Sequence, residues 1–224
     1  MLIAIDHGNK SVKLPRGDPF VSGLVESEVA PFGKDVLKYR GRYYQLSDHR
    51  IPYHRDKTED ERFFVLTLFA IAREINAAGR YTAGTIQVQL AVGLPPAHFG
   101  AQHQAFTSYF LGRGPVSFVF HQRPYSILIN DVACFPQSYA AAVTILPTLQ
   151  NEPRALVLDI GGFTADYLQL RNGEGNLKLK KVPFPQVRSA TTSLMEGRRL
   201  SATSWQMTGG VNTWPFSTSF FFSL

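Results

Sequence analysis

Two stretches far apart in the chain carry one pattern: Ile5-Asp6-His7-Gly8-Asn9-Lys10-Ser11-Val12-Lys13 and Leu158-Asp159-Ile160-Gly161-Gly162-Phe163-Thr164-Ala165-Asp166. In each, an apolar run ends in Asp, glycine follows two positions later, a hydroxyl residue five later and a charged residue seven later. Each then resumes as an alternating strand, Val12-Lys13-Leu14 and Tyr167-Leu168-Gln169-Leu170. Glycine lets the backbone turn tightly and approach an anion, so that successive N–H groups line up on it. An Asp at the strand end can hold, through water, the metal that accompanies a polyphosphate. A single Asp-x-Gly is an ordinary hairpin turn. The duplication points instead to a pair of phosphate clamps, with a pair of structural hairpins as the alternative.

The chain of 224 residues has room for one large or two small domains. With 44% apolar and 18% charged residues it has the composition of a soluble globular protein. It contains no uninterrupted apolar run of the roughly 18 residues a membrane span needs. Its first residues lack the basic-then-apolar pattern of a secretion signal, and a cytoplasmic location is expected. The lone Cys134 forbids an intrachain disulfide or a cysteine metal cluster and reads as packing among apolar neighbours.

The formal charge of +6 is not laid out as a basic stripe. From Lys34 to Arg62 the signs are mixed, as on a solvated face. Lys178, Lys180 and Lys181 alternate along a strand edge, where lysine discourages edge pairing. Direct nucleic-acid binding is not expected.

Strands are expected over 21–30 and 36–46, the second turning near Gly41-Arg42. A helix opens in Asp56-Lys57-Thr58-Glu59-Asp60-Glu61, whose acids suit the positive end of its dipole, and Phe64, Leu68, Ile71 and Ile75 recur at helical spacing up to Gly79. A buried strand over 85–93 is broken by Leu94-Pro95-Pro96, a helix covers 97–110, and short strands cover 116–120 and 126–129. Pro136 can start a helix running to about 146. Strands mixed with helices, in two halves that each begin with the phosphate-type turn, imply an α/β protein with a cleft between two related domains. From 200 to 224 there is no charged residue and no clean periodicity.

At these residues the chain resembles the actin-like ATPase superfamily, most closely the ParM/StbA-type actin-like proteins of bacterial plasmids and phages, over roughly 1–197. The two repeats are similar to the family's two phosphate motifs. Asp56-Lys57-Thr58, Leu66-Thr67-Leu68 and Val92-Gly93-Leu94-Pro95 resemble the N-terminal half. Asn130-Asp131 through Phe135-Pro136-Gln137-Ser138 resembles the segment joining the two domains. Sugar kinases and heat-shock chaperone ATPases share the fold, but the short region between Pro31 and Asp60 suits a small actin-like subdomain better.

The resemblance implies an actin-like (ribonuclease H-like) ATPase fold. A complete N-terminal domain would cover 1–150, with a small subdomain at about 31–60, and the start of a second domain would cover 151–197. Beyond Ser193-Leu194-Met195-Glu196-Gly197 the family pattern is lost and the expected adenosine-binding turn has no counterpart. Gly209-Gly210 comes too early and lacks a following helix. The stretch 198–224 is therefore expected to be an atypical tail, non-native or disordered, and the second domain incomplete.

The ligands the resemblance implies are ATP or GTP and Mg²⁺. Asp6 and Asp159 would hold the metal through water and, with Gln137, form the catalytic set. Amides near Gly8-Asn9 and Gly161-Gly162 would cradle phosphates, with Lys10 and Phe163 in the same turns and Ser11 and Thr164 supporting them. Lys13 would neutralise phosphate charge, and Gln137, at a helix start, would aim the attacking water. Asp166 reads as a strand-face carboxylate and His7 as structural. The implied function is nucleotide-dependent filament formation with Mg²⁺-dependent hydrolysis, serving plasmid or phage DNA segregation through a DNA-bound adaptor, with no membrane partner. Hydrolysis by this chain would be impaired by the incomplete second domain. A non-catalytic remnant acting as a binding module and a small-molecule kinase remain as alternatives.

Overall fold

The alternation Leu2-Ile3-Ala4-Ile5-Asp6-His7 builds strand β1 (Leu2–His7), with Ile3, Ile5 and His7 buried on one face. The chain turns through Gly8, Asn9 and Lys10 and returns antiparallel as β2 (Ser11–Lys13), pairing Asp6 with Lys13 and His7 with Val12. This computed structural model describes residues 1–33, 35–143, 145–160, 164–172, 174–176, 181–183, 212–214 and 217–223. These fall into two units, Met1–Gly93 with Ala101–Cys134, and Leu94–Gly100 with Phe135–Leu224.

In the first unit, short strands β3 (Phe20–Val21) and β4 (Leu24–Ser27) precede the hairpin of β5 (Val36–Tyr39) and β6 (Arg42–Leu46). Its tight turn holds Arg40 and Gly41 at φ of 48° and 80°, the left-handed pair that matches the twist of a two-residue hairpin loop. The acidic run expected to open one helix divides in two. Asp56 caps a short 3-10 turn (Lys57–Glu59) by accepting from the Thr58 N–H, and Asp60 caps helix α1 (Glu61–Ala77) by accepting from the Arg62 N–H. Gly79, at φ 62°, lies just past the helix end.

Helix α1 was expected to bury one stripe. Phe64, Leu68, Ile71 and Ile75 are indeed inaccessible, but every residue from Phe63 to Ala72 is buried as well. A helix apolar all round is a core element rather than a surface one. At about 1.5–3 kcal/mol for each large apolar side chain, it is a main source of the unit's stability. Glu74 is also buried, and its carboxylate accepts from the N–H of Arg16 at 2.8 Å and from its guanidinium at 3.1 Å.

Strand β7 (Thr85–Leu94) runs parallel to β1 and alternates buried with more exposed positions, so it is half-buried rather than fully buried. Helix α2 (Pro96–Leu111) follows, then the hairpin of β8 (Pro115–Phe120) and β9 (Arg123–Pro136). The expected short strand at 126–129 is thus a long one, continuing to Pro136, whose missing N–H is tolerated at a strand end. The sheet has the order β3-β2-β1-β7-β9-β8-β5-β6-β4.

In the second unit the helix expected from Pro136 to about 146 is two: α3 (Gln137–Val143) and α4 (Leu146–Gln150). Pro147 explains the break, because its ring cannot continue a helix but suits the first turn of a new one. Ala142, Leu149, Ala155, Val157, Leu168 and Leu170 form the core, with Tyr139 and Ile145 packed on it. They join α3 and α4 to β10 (Ala155–Ile160) and β11 (Thr164–Arg171). Strands β12 (Glu174–Asn176), β13 (Lys181–Pro183), β14 (Asn212–Trp214) and β15 (Ser217–Ser223) complete a sheet of order β12-β11-β10-β15-β14, with β13 on β11.

Within the stretch expected to be an atypical tail, Asn212–Trp214 and Ser217–Ser223 are strands. Ser217–Ser223 pairs antiparallel with β10 from Ala155↔Ser223 to Ile160↔Thr218, satisfying backbone groups that a bare edge would leave unpaired. Lys181 lies in β13, whereas Lys178 and Lys180 lie outside the described residues.

Candidate functional site

Both repeats fold as hairpins, and they agree in register. Asp6 is the fifth of six residues in β1 and Asp159 the fifth of six in β10. Each pairs across the hairpin with the residue seven positions on, Asp6 with Lys13 and Asp159 with Asp166. The charged residue that closes each sequence pattern is thus the cross-strand partner of the Asp that opens it. The geometry is repeated but the charge is not: opposite signs meet in the first hairpin and like signs share a register position in the second.

The first hairpin gathers Asp6, Gly8, Asn9, Lys10, Ser11 and Lys13 in one turn. The ammonium of Lys13 lies 3.4 Å from the Asp6 carboxylate, with both side chains partly exposed. This pair puts a cation and a carboxylate side by side on the turn, where either can face a charged ligand. Gly8 is required by close approach: a Cβ there would sit 2.6 Å from the carbonyl oxygen of Ser11. Asn9 and Ser11 are half-buried and Lys10 is exposed.

His7 faces the interior, as its structural reading expects. Its ring stacks on Phe110 and meets Phe106 edge-on. Its Nε2 lies 2.7 Å from Thr67 Oγ1, and that hydroxyl itself donates to the Phe63 carbonyl at 2.8 Å. Thr67 can then only accept, so His7 carries its proton on Nε2, and Nδ1, buried without a hydrogen-bond partner among the described residues, holds the lone pair. Burial and the charge of Lys57 push the His7 pKa down from 6.5 to about 3.

Two residues to which the sequence assigned no role at this turn hold it from behind. Lys57 belongs to the mixed-charge stretch expected to be a solvated face, yet it is buried. Its ammonium donates to the backbone carbonyl of His7 and lies 5.6 Å from the Phe63 ring centre. Ser22 is buried too: its hydroxyl donates to the Gly8 carbonyl at 2.7 Å and its N–H to the Lys10 carbonyl at 3.0 Å. The next residue, Gly23, has no room for a Cβ, which would lie 2.2 and 2.3 Å from the carbonyl oxygens of His49 and Ser47.

In the second hairpin Asp159 is half-buried and Thr164 opens β11. Gly161, Gly162 and Phe163 lie outside the described residues. Gln137 is the first residue of α3, which packs on β10 and β11, and is half-buried. Among the described residues no three His, Cys, Asp or Glu side chains converge as metal ligands. No described helix is long and apolar enough to cross a membrane.

A family model for the N-terminal domain of actin like proteins matches residues 4–139, from the first hairpin to the start of α3. The chain belongs to this family. Solved structures agree with an actin-like fold. An AlfA filament bound to AMPPNP matches with a TM-score of 0.65 at 14% identity, over 88% of this chain and 77% of the other. Apo psk41 ParM matches at 0.64 and 15%, over 87% and 71%. The ADP complex of Ta0583, an archaeal actin homolog, matches at 0.64 and 14%, over 90% and 66%. A sequence search of curated proteins gives no match. For this actin-like chain the two hairpins are the elements that the sequence and the structure single out together.

Proposed function

We propose that this actin-like chain binds ATP or GTP with Mg²⁺ through its two hairpins and self-associates into filaments whose stability is switched by nucleotide hydrolysis. Plasmid or phage DNA segregation through a DNA-bound adaptor is the use that fits. The observation carrying this reading is the repetition of one hairpin, with its Asp at the same strand position and in the same register, in a member of the actin-like family. Among structures of similar fold, one is a filament with AMPPNP and another holds ADP.

The first hairpin suits a polyphosphate. It has a bare glycine where a Cβ would collide, and a carboxylate and an ammonium on one partly exposed face. Gly8 and Asn9, with Gly161 and Gly162, bind phosphate oxygens through their amides, while Lys10, Ser11, Phe163 and Thr164 complete the turns. Lys13 offsets phosphate charge. Asp6 and Asp159 hold Mg²⁺ through water, in keeping with an ion that retains much of its hydration shell, and when bound the ion screens the terminal phosphates. Gln137 orients the attacking water. Head-to-tail contacts between actin-like subunits are heterologous and do not close, which makes filaments the natural product of assembly.

Turnover assays with and without Mg²⁺, combined with light scattering, test the reading in a protein that carries these hairpins together with a full actin-like second domain. Asp159→Ala should remove Mg²⁺-dependent hydrolysis. Gln137→Ala should slow it by about 10²-fold while sparing binding, as expected when only the aim of the water is lost. Unchanged turnover in both variants would sink the site. Hydrolysis that requires a sugar acceptor would identify a small-molecule kinase instead.

A further inference from the structure

We infer that Lys57, assisted by Ser22, is a positioning residue for the bound phosphates: it holds the carbonyl side of the first turn so that the amide side faces the ligand. The inference rests on the nucleotide reading above and assigns a role to residues that make no contact with the ligand themselves.

In a trans peptide the C=O and the following N–H point in opposite directions, and the described chain has no cis peptide bond. The His7 carbonyl is held by the Lys57 ammonium and the Gly8 carbonyl by the Ser22 hydroxyl. The N–H groups sharing those two peptide planes belong to Gly8 and Asn9. Both anchors are buried, at 6% and 1% exposure, and the two amides lie on the sides of their peptide planes opposite these anchors. The Ser22 N–H holds the Lys10 carbonyl as well, fixing the far side of the turn.

A glycine turn left to itself samples many conformations, and aligning successive amides on an anion costs conformational entropy. Lys57 and Ser22 meet that cost during folding, before any ligand arrives. A charged donor is the stronger choice for the first carbonyl, because a hydrogen bond from an ion in a buried setting is about twice as strong as a neutral one. The anchor itself is set by Asp56, whose carboxylate accepts from the Thr58 N–H at 2.9 Å and from its hydroxyl at 2.7 Å, fixing the 3-10 turn that carries Lys57.

The test is a titration of the full chain with MgATP, followed through the ¹⁵N–¹H resonances of the Gly8 and Asn9 amides. In the wild type both should shift saturably. Lys57→Met keeps the length and apolar stem of the side chain but removes the donor. It should weaken MgATP binding by about tenfold or more, the scale of one charge-assisted hydrogen bond, and move the Gly8 amide resonance in the free protein. The His7 carbonyl left without its donor lowers stability in either case, so the affinity of the folded protein decides: a merely structural lysine would lower the melting temperature and leave that affinity unchanged. Wild-type affinity and an unmoved Gly8 amide in Lys57→Met would overturn the inference and leave the nucleotide reading standing. Wild-type Gly8 and Asn9 amides indifferent to MgATP would overturn the nucleotide reading and this one with it. If Lys57→Met does not fold, Ser22→Ala, which removes one hydroxyl, decides by the same affinity measurement: weaker binding supports the inference and wild-type binding refutes it.

Discussion

Acidification should destabilise this protein through His7, by an amount that the structure sets. The ring is neutral in the fold, with its only proton on Nε2 committed to Thr67 and no acceptor for a second proton on Nδ1 among the described residues. In the unfolded chain it titrates near 6.5, and in the folded protein only near 3. Between these values the unfolded state binds a proton that the folded state refuses. Stability is therefore full above about pH 6.5 and drains as pH falls toward 3, by about 1.4 kcal/mol per pH unit. Going from pH 7 to pH 4.5 crosses about two such units and should cost about 2–3 kcal/mol, a large share of the roughly 5–15 kcal/mol that holds a typical domain together. Other groups titrate over the same range, so the comparison must be with His7→Gln, which can still donate to Thr67 but cannot ionise. Urea unfolding of both proteins at the two pH values isolates the difference. The wild type should lose about 2–3 kcal/mol more than the variant. Equal losses would refute the assignment of the neutral, Nε2-protonated ring.

Gly8→Ala should destabilise the protein by about 1–3 kcal/mol in urea unfolding, because the new methyl group meets the Ser11 carbonyl and forces the hairpin to open. Glu74→Ala should cost about 1–3 kcal/mol by leaving the Arg16 N–H without its carboxylate, whereas Glu74→Gln, which keeps an oxygen for that N–H, should cost visibly less. Cys134, whose thiol burial pushes up to about 11, should react with iodoacetamide at pH 7.5 far more slowly than free cysteine until urea exposes it.

What the sequence disclosed were features encoded within a few residues of one another. The paired hairpins, the Arg40-Gly41 turn and the stop of α1 before Gly79 follow from local alternation and glycine, whereas the acidic run read as one helix start holds two caps, Asp56 and Asp60. Even the cross-strand register was present, as the fixed interval of seven residues between Asp6 and Lys13 and between Asp159 and Asp166. Burial was less legible. A stripe of Phe64, Leu68, Ile71 and Ile75 announces a helix, but whether Val65, Leu66 and Phe69 also find cover depends on elements elsewhere in the chain. The anchors of the first turn were hidden for the same reason. Lys57 looks like its charged neighbours, and its acceptor is a backbone carbonyl 50 positions away that any residue could supply. Ser22 offered no signal beyond its glycine neighbour.

The first hairpin also has a consequence for the order in which the chain is finished. It is made before the groups that hold it: Ser22, then Lys57, then Thr67, and then Phe106 and Phe110 against His7. Non-local contacts of this kind are closed slowly, because the intervening loop must be ordered before the contact repays it. The turn is thus completed only after anchors up to Phe110 have been made. Until residue 110 has emerged, His7 has no aromatic wall, and nascent chains stalled earlier should present the hairpin without its finished interior face.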